Sequence, residues 1–139
     1  MSKQGLNRRQ ALSGAAAAGI GVPLLAACGS DTGEAVDTKP KAESGQLLAS
    51  TDDVGVGSCV VFPKEQVVLA QPAEGTFTCF SAVCTHQGCL VSTSSSGEIP
   101  CTCHGSYFSL EDGSVLKGPA TKALSKVEIE VDGDRITVV

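Results

Sequence analysis

Cys84-Thr85-His86-Gln87-Gly88-Cys89 and Cys101-Thr102-Cys103-His104-Gly105-Ser106 hold both histidines of the chain and four of its seven cysteines. Packing alone does not concentrate these residue types so strongly, and the two stretches read as a metal site. The pattern C-x-H, then fourteen residues, then C-x-x-H lets each stretch present one thiolate and one imidazole. Such a set suits a centre with two chemically different metal positions. Two iron atoms bridged by two sulfides fit it, one iron taking Cys84 and Cys101 and the other His86 and His104. The alternative is a Cys₂His₂ zinc site with two spare thiols, since zinc accepts the same ligand types. Zinc-finger spacings, however, place both cysteines in one segment and both histidines in another, whereas each segment here holds one of each.

The two stretches resemble the cluster-binding loops of the Rieske [2Fe-2S] family, C-T-H-x-G-C and C-x-C-H-G-S. The resemblance covers approximately residues 54–139. It implies an all-β fold of stacked antiparallel sheets, with a small cluster-binding subdomain at one tip. The implied cofactor is one Rieske-type [2Fe-2S] cluster, with Cys84, His86, Cys101 and His104 as its ligands. By resemblance to the quinol-oxidising members, Cys89 and Cys103 form a disulfide that ties the two loops together. Closing a 15-residue loop in this way contributes about 3 kcal/mol in the chain-entropy model.

Further positions follow the resemblance unevenly. Ser106 stands where the family's serine donates a hydrogen bond to the cluster. Phe108 stands where the quinol-oxidising branch has a tyrosine bonded to a ligand sulfur, and Tyr107 lies one position early. Gln87 replaces that branch's shielding leucine, and Thr102 its usual proline. Gly118-Pro119-Ala120 resembles the proline loop that covers the third side of the cluster; as a dipeptide, Gly-Pro is otherwise a turn signal.

Charge counting explains the mixed ligand set. Two ferric ions, two sulfides and two thiolates sum to zero, while an all-cysteine cluster carries two more negative charges. Reduction is then easier, and Rieske potentials fall at roughly −150 to +300 mV against roughly −400 mV for plant-type ferredoxins. Each imidazole also keeps a titratable nitrogen away from iron, which allows reduction to be linked to proton uptake.

The N-terminus reads as an export signal over residues 1–27. Lys3, Arg8 and Arg9 form a positive region, followed by an uncharged run from Gln10 to Ala27 and then Leu25-Ala26-Ala27-Cys28. The run is short for a membrane span and is broken by glycines and Pro23. Leu-Ala-Ala-Cys resembles a bacterial lipobox, which implies cleavage before Cys28 and lipidation of that residue. Arg8-Arg9 with Leu12 resembles a twin-arginine signal, with Ala11 in place of the usual large apolar residue. Export of a folded chain suits an iron-sulfur protein whose cluster is assembled in the cytosol. The expected location is the extracytoplasmic face of the cell membrane, held by a lipid anchor.

Residues 28–139 keep 7 of the 10 basic residues and all 15 acidic ones, which moves the net charge from −5 to −8. Nucleic acid is therefore excluded as a partner, and no polybasic membrane patch is present. Residues 28–46 are polar, contain Pro40 and show no apolar periodicity, so they read as a flexible tether behind the lipidated Cys28. Residues 47–139 form one small domain without room for a second core. Runs at Val60 to Phe62, Val67 to Ala70 and Thr76 to Ala82 are divided by turn signals. Lys126 to Val131 alternates polar with apolar, and Asp132-Gly133 offers a tight turn into Arg135 to Val138, predicting a hairpin. Cys59 and Cys79 fall on two of the short strands. In an oxidising compartment they are candidates for a second disulfide; buried, unreactive thiols are the other reading.

With both histidines committed to iron, none remains for a mononuclear oxygenase iron or for a Ser-His or Cys-His hydrolase. No phosphate-binding glycine loop is present either. These observations point to an electron carrier rather than an enzyme in its own right, working with a cytochrome or an oxidoreductase subunit. The alternative is the Rieske subunit of a quinol-cytochrome c reductase, a cytochrome bc complex, in which His104 meets the quinol.

Overall fold

The computed structural model describes residues 36–139. The signal region, the lipobox and Cys28 lie outside them. Nine strands form three antiparallel sheets among the described residues. The strands are β1 (Leu47–Ser50), β2 (Ser58–Phe62), β3 (Val67–Ala73), β4 (Thr76–Ser81), β5 (Glu98–Cys101), β6 (Ser106–Ser109), β7 (Val115–Lys117), β8 (Ile129–Asp132) and β9 (Arg135–Val138). The sheet orders are β1-β9-β8, β2-β3-β4 and β5-β6-β7. The all-β expectation of stacked antiparallel sheets holds, and among the described residues a single 3₁₀ turn at Thr51–Asp53 is the helical content.

The β2-β3-β4 sheet is the middle layer, because both of its faces are covered. Val67-Val68-Leu69-Ala70 of β3 is a continuous apolar run, the pattern of a strand buried on both sides, and all four residues are buried. Side chains alternate across a strand. Val68 and Ala70 therefore join Cys59 and Phe80 in the core shared with the motif loops, which also contains Cys84, Ile99, Cys101 and Phe108. Val67, Leu69 and Cys79 face the other way, into a second core that they share with Val54 and that Ala49, Ile136 and Val138 of the terminal sheet close, so the expectation of no room for a second core is corrected.

This alternation decides the fate of the two unassigned cysteines. Cys59 on β2 lies opposite Ala70, and Cys79 on β4 lies opposite Leu69. Ala70 and Leu69 are neighbours on β3, so the two thiols project from opposite faces of one sheet. Both are free and buried. The second disulfide is therefore corrected to two separate core thiols.

Two further expectations are corrected. The predicted hairpin exists, but β8 starts at Ile129 rather than Lys126; Lys126 makes an isolated bridge to Phe80, and Val127 is buried in the second core. Its turn lies one residue later than expected, since Asp132 pairs with Arg135 and leaves Gly133-Asp134 as the loop. The tether reading fails over residues 36–46, which lie against the domain. The Gly45 amide donates to the Val138 carbonyl at 2.6 Å and the Lys41 amide to the Glu65 carbonyl at 2.8 Å. Ser81 Oγ donates to the Thr38 carbonyl, and Ala42 packs against the second core. Neither pattern nor composition marks this segment because its polar bonds run mainly through backbone groups.

Candidate metal centre

Both motif stretches fold as tight loops at strand ends, and both close in the same way. The Gly88 amide donates to the Cys84 carbonyl at 2.9 Å, and the Gly105 amide to the Cys101 carbonyl at 3.0 Å. Each glycine has φ +78°, a left-handed conformation that side-chain-bearing residues rarely adopt. The Cys-x-x-x-Gly spacing is thus a turn template used twice. In the first loop the Cys84 amide also donates to the Cys89 carbonyl at 2.7 Å, and Val83 bridges to Leu90 just outside it. The second loop is the tip of the β5-β6 hairpin, whose last pair is Cys101 with Ser106.

The loops bring the four candidate ligands together. Cys84 and Cys101 are buried, free thiols. Burial pushes the Cys101 thiol up from its ordinary value, and the adjacent Cys84 acts in the same direction. A metal would reverse that preference, because a coordinated cysteine is a thiolate. The His86 and His104 rings meet edge to face with centroids 4.7 Å apart, and His104 is exposed. His86 Nδ1 is buried without a hydrogen-bond partner. A buried polar atom left so costs about 1–3 kcal/mol, and a bound iron would remove that cost. Two thiols, two imidazoles and an orphaned ring nitrogen fit a two-iron cluster with two protein ligands per iron.

Cys89 and Cys103 are joined by a disulfide with a Cα–Cα distance of 6.5 Å, linking the first loop to the second. A third segment is tied to both. Ser106 Oγ, fully buried, accepts a hydrogen bond from the Ala120 amide at 3.0 Å, while Thr85 Oγ1 donates to the Lys122 carbonyl at 2.6 Å. Gly118-Pro119-Ala120 is therefore held beside the paired loops, with Pro119 exposed. Thr85 escaped the sequence reading, although it sits inside the motif, because its partner is a backbone carbonyl 37 residues away.

Phe108 and Tyr107 take opposite faces of the β5-β6-β7 sheet. Phe108 pairs with Ile99 and is fully buried in the core that contains Cys84 and Cys101. Tyr107 pairs with Pro100 and lies under Lys117, whose Nζ is 5.5 Å from the ring centroid. Its hydroxyl does not substitute for the one absent at Phe108. Gln87 and Thr102 are exposed.

A family model for the Rieske [2Fe-2S] domain matches residues 44–128. The cytochrome b6-f complex iron-sulfur subunit of Chlorobaculum tepidum is 32% identical over 85 residues, covering 60% of this chain and 46% of that protein. A putative respiratory nitrate reductase Rieske subunit of Haloferax mediterranei is 41% identical over 59 residues, covering 42% of this chain and 27% of that protein. The chain thus spans about half or less of the length of these curated relatives. Among solved structures, the cyanobacterial plasma membrane Rieske protein from Synechocystis PCC 6803 superposes with TM-score 0.56 at 30% identity, covering 68% of this chain and 98% of that one. The ferredoxin of carbazole 1,9a-dioxygenase from Nocardioides aromaticivorans shares the fold, with TM-score 0.56 at 20% identity.

Proposed function

The chain belongs to the Rieske [2Fe-2S] family, and from that premise we propose that it is an extracytoplasmic electron-transfer protein, anchored to the membrane through lipidated Cys28, with Cys84 and Cys101 on one iron and His86 and His104 on the other. The observation that carries the ligand assignment is the buried, unpartnered Nδ1 of His86 beside the His104 ring and the two free thiols. When bound, the cluster supplies a one-electron couple at a potential well above that of all-cysteine clusters.

The remaining work falls to the chain. Cys84 and Cys101 sit in the apolar core with Ile99 and Phe108, which keeps water from the thiolate side. His104 is exposed, so the imidazole side faces the redox partner. The Cys89–Cys103 bond holds the two loops in register, so little rearrangement accompanies a change of charge. Ser106 accepts from Ala120 with its oxygen, and its own proton remains available to the cluster. The partner in this reading is a cytochrome or an oxidoreductase subunit.

A second reading, the Rieske subunit of a quinol-cytochrome c reductase accepting electrons from quinol, is favoured by the relatives named as cytochrome b6-f subunits. Phe108 weighs against it, since the tyrosine of the quinol-oxidising branch is missing. Two measurements test the first reading. Electron paramagnetic resonance of the reduced protein should give a Rieske spectrum that His104→Cys abolishes or converts to an all-cysteine type; an unchanged spectrum would sink the ligand set. Cys28→Ser should move the protein out of the membrane fraction, and retention there would sink the anchor. Pull-down from solubilised membranes separates the two readings, because co-purification of a cytochrome b favours the reductase.

A further inference from the structure

Residues 36–46 run across the domain to the motif loops. From Gly45 at the end of β9, the chain passes the β2-β3 turn at Lys41, then the end of β4 at Thr38, and reaches Val36 beside Gly88 of the first motif loop. A Cβ placed on Gly88 would lie only 3.0 Å from Val36 Cγ1. Ser81, fully buried, spends its hydroxyl proton on the Thr38 carbonyl. Lifting this segment would expose a hydroxyl and a row of backbone groups that now have partners, so the segment belongs to the folded unit.

We propose that residues 36–41 act as a strap that makes the chain leave the domain at its cluster-bearing end, so that an anchor at Cys28 presents the motif loops to the membrane surface and to a redox partner whose own centre lies there. The proposal rests on the lipid-anchor reading given above. Chain geometry supplies the distance. From Cys28 to Val36 are eight links, which span at most about 29 Å when fully extended; a tether reaching to Leu47 would span up to about 68 Å. The strap shortens the leash and moves its attachment from the terminal sheet to the first motif loop. A soluble carrier meeting the opposite end of the domain does not need this arrangement.

Charge points the same way. Residues 82–127, which carry both motif loops and the Gly118-Pro119-Ala120 segment, contain three carboxylates and three lysines and are neutral. Of the charge of −8 on residues 28–139, −2 lies on the leash, at Asp31 and Glu34, and −6 on residues 36–81 and 128–139. Near an anionic headgroup layer the acidic body is repelled over roughly 8–10 Å, whereas the neutral cluster end is not.

The test uses the mature lipidated protein in liposomes with and without a dysprosium-chelating headgroup lipid, and reads the relaxation of the reduced cluster by power-saturation resonance. Dysprosium should accelerate relaxation several-fold, and a 20-residue Gly-Ser insertion between Glu34 and Ala35 should remove the effect. Equal relaxation with and without dysprosium, in protein that floats with the liposomes, overturns the proposal. Protein that does not float refutes the anchor reading and the membrane-facing half of the proposal with it. The strap is read separately by amide hydrogen exchange of the full chain: protection at the Lys41 amide supports it, and exchange there at the unfolded rate overturns it.

Discussion

Ser106 Oγ and the Ala120 amide nitrogen lie 3.0 Å apart, with the amide donating. A hydroxyl in that position has its acceptor side occupied and its proton free, so one buried side chain pins the Gly118-Pro119-Ala120 segment and, in the proposed reading, has a donor left for the cluster. Ser106→Ala should remove both. If a hydrogen bond to the electron-rich reduced cluster is worth about 1 kcal/mol, the one-electron potential drops by roughly 40 mV. Protein-film voltammetry at pH 7 reads this shift, and accelerated exchange of the Ala120 amide reads the lost clasp. An unchanged potential with a freed amide would leave Ser106 as a clasp only.

Phe108 presents its ring to the core that holds Cys84 and Cys101, while Tyr107 faces Lys117 on the other side of the sheet. Phe108→Tyr places a hydroxyl on the thiolate side and should raise the potential by some tens of millivolts, by the same conversion. Tyr107→Phe should leave it unchanged. A shift in the second variant and none in the first would mean that the two side chains act in the reverse of their observed facing.

Cys89 and Cys103 tie the two loops covalently, and the 118–122 segment, bonded to Thr85 and Ser106, also connects them. Replacing both by alanine should cost about 3 kcal/mol, the chain-entropy value for a loop of this size. Loss of visible absorbance under a chelator should be faster than in the parent protein, since the loops are no longer held in register. A variant that keeps its cluster as long as the parent would show that coordination alone sets the loop geometry.

Much of this architecture was legible because its determinants are local. The motif loops announce themselves through Cys, His and Gly at fixed spacing, β3 through an unbroken apolar run, and the last hairpin through period-two alternation. The failures concern relations between distant segments. Whether Cys59 and Cys79 meet depends on how β2 and β4 register on β3, and neither strand encodes that alone. Residues 36–46 look like a linker because their anchors are the Lys41 amide, the Thr38 carbonyl and the Gly45 amide, groups every residue type supplies. Tyr107 shows the converse: alternation along β6 separates it from Phe108 and assigns the two rings to opposite faces.

Because the two remaining thiols occupy separate cores, peptide mapping of the unreduced protein should find the Cys89–Cys103 bond and no bond between Cys59 and Cys79. Both thiols should resist iodoacetamide at pH 8 in the native state and react after unfolding. A Cys59–Cys79 cross-link in the native protein would contradict the facing of β2 and β4.

Cys79 also makes stability depend on pH. Burial pushes its thiol from the ordinary 9.0 up to about 12, with a backbone hydrogen bond at Phe80 pulling weakly the other way. The thiol of the unfolded chain loses its proton near 9 while that of the folded chain keeps it, so the native state binds more protons across this interval. Stability from this group is full below about pH 9 and declines by about 1.4 kcal/mol per pH unit as the pH rises towards 12. Cys79→Ala removes the titrating group, so its unfolding free energy, lower at pH 8 because a buried side chain is truncated, should fall less steeply between pH 9 and 11 than that of the parent. Denaturant titrations at each pH measure the two slopes. Parallel curves would mean that Cys79 is ionised in the folded protein at the same pH as in the unfolded chain, and that the second core admits water at β4.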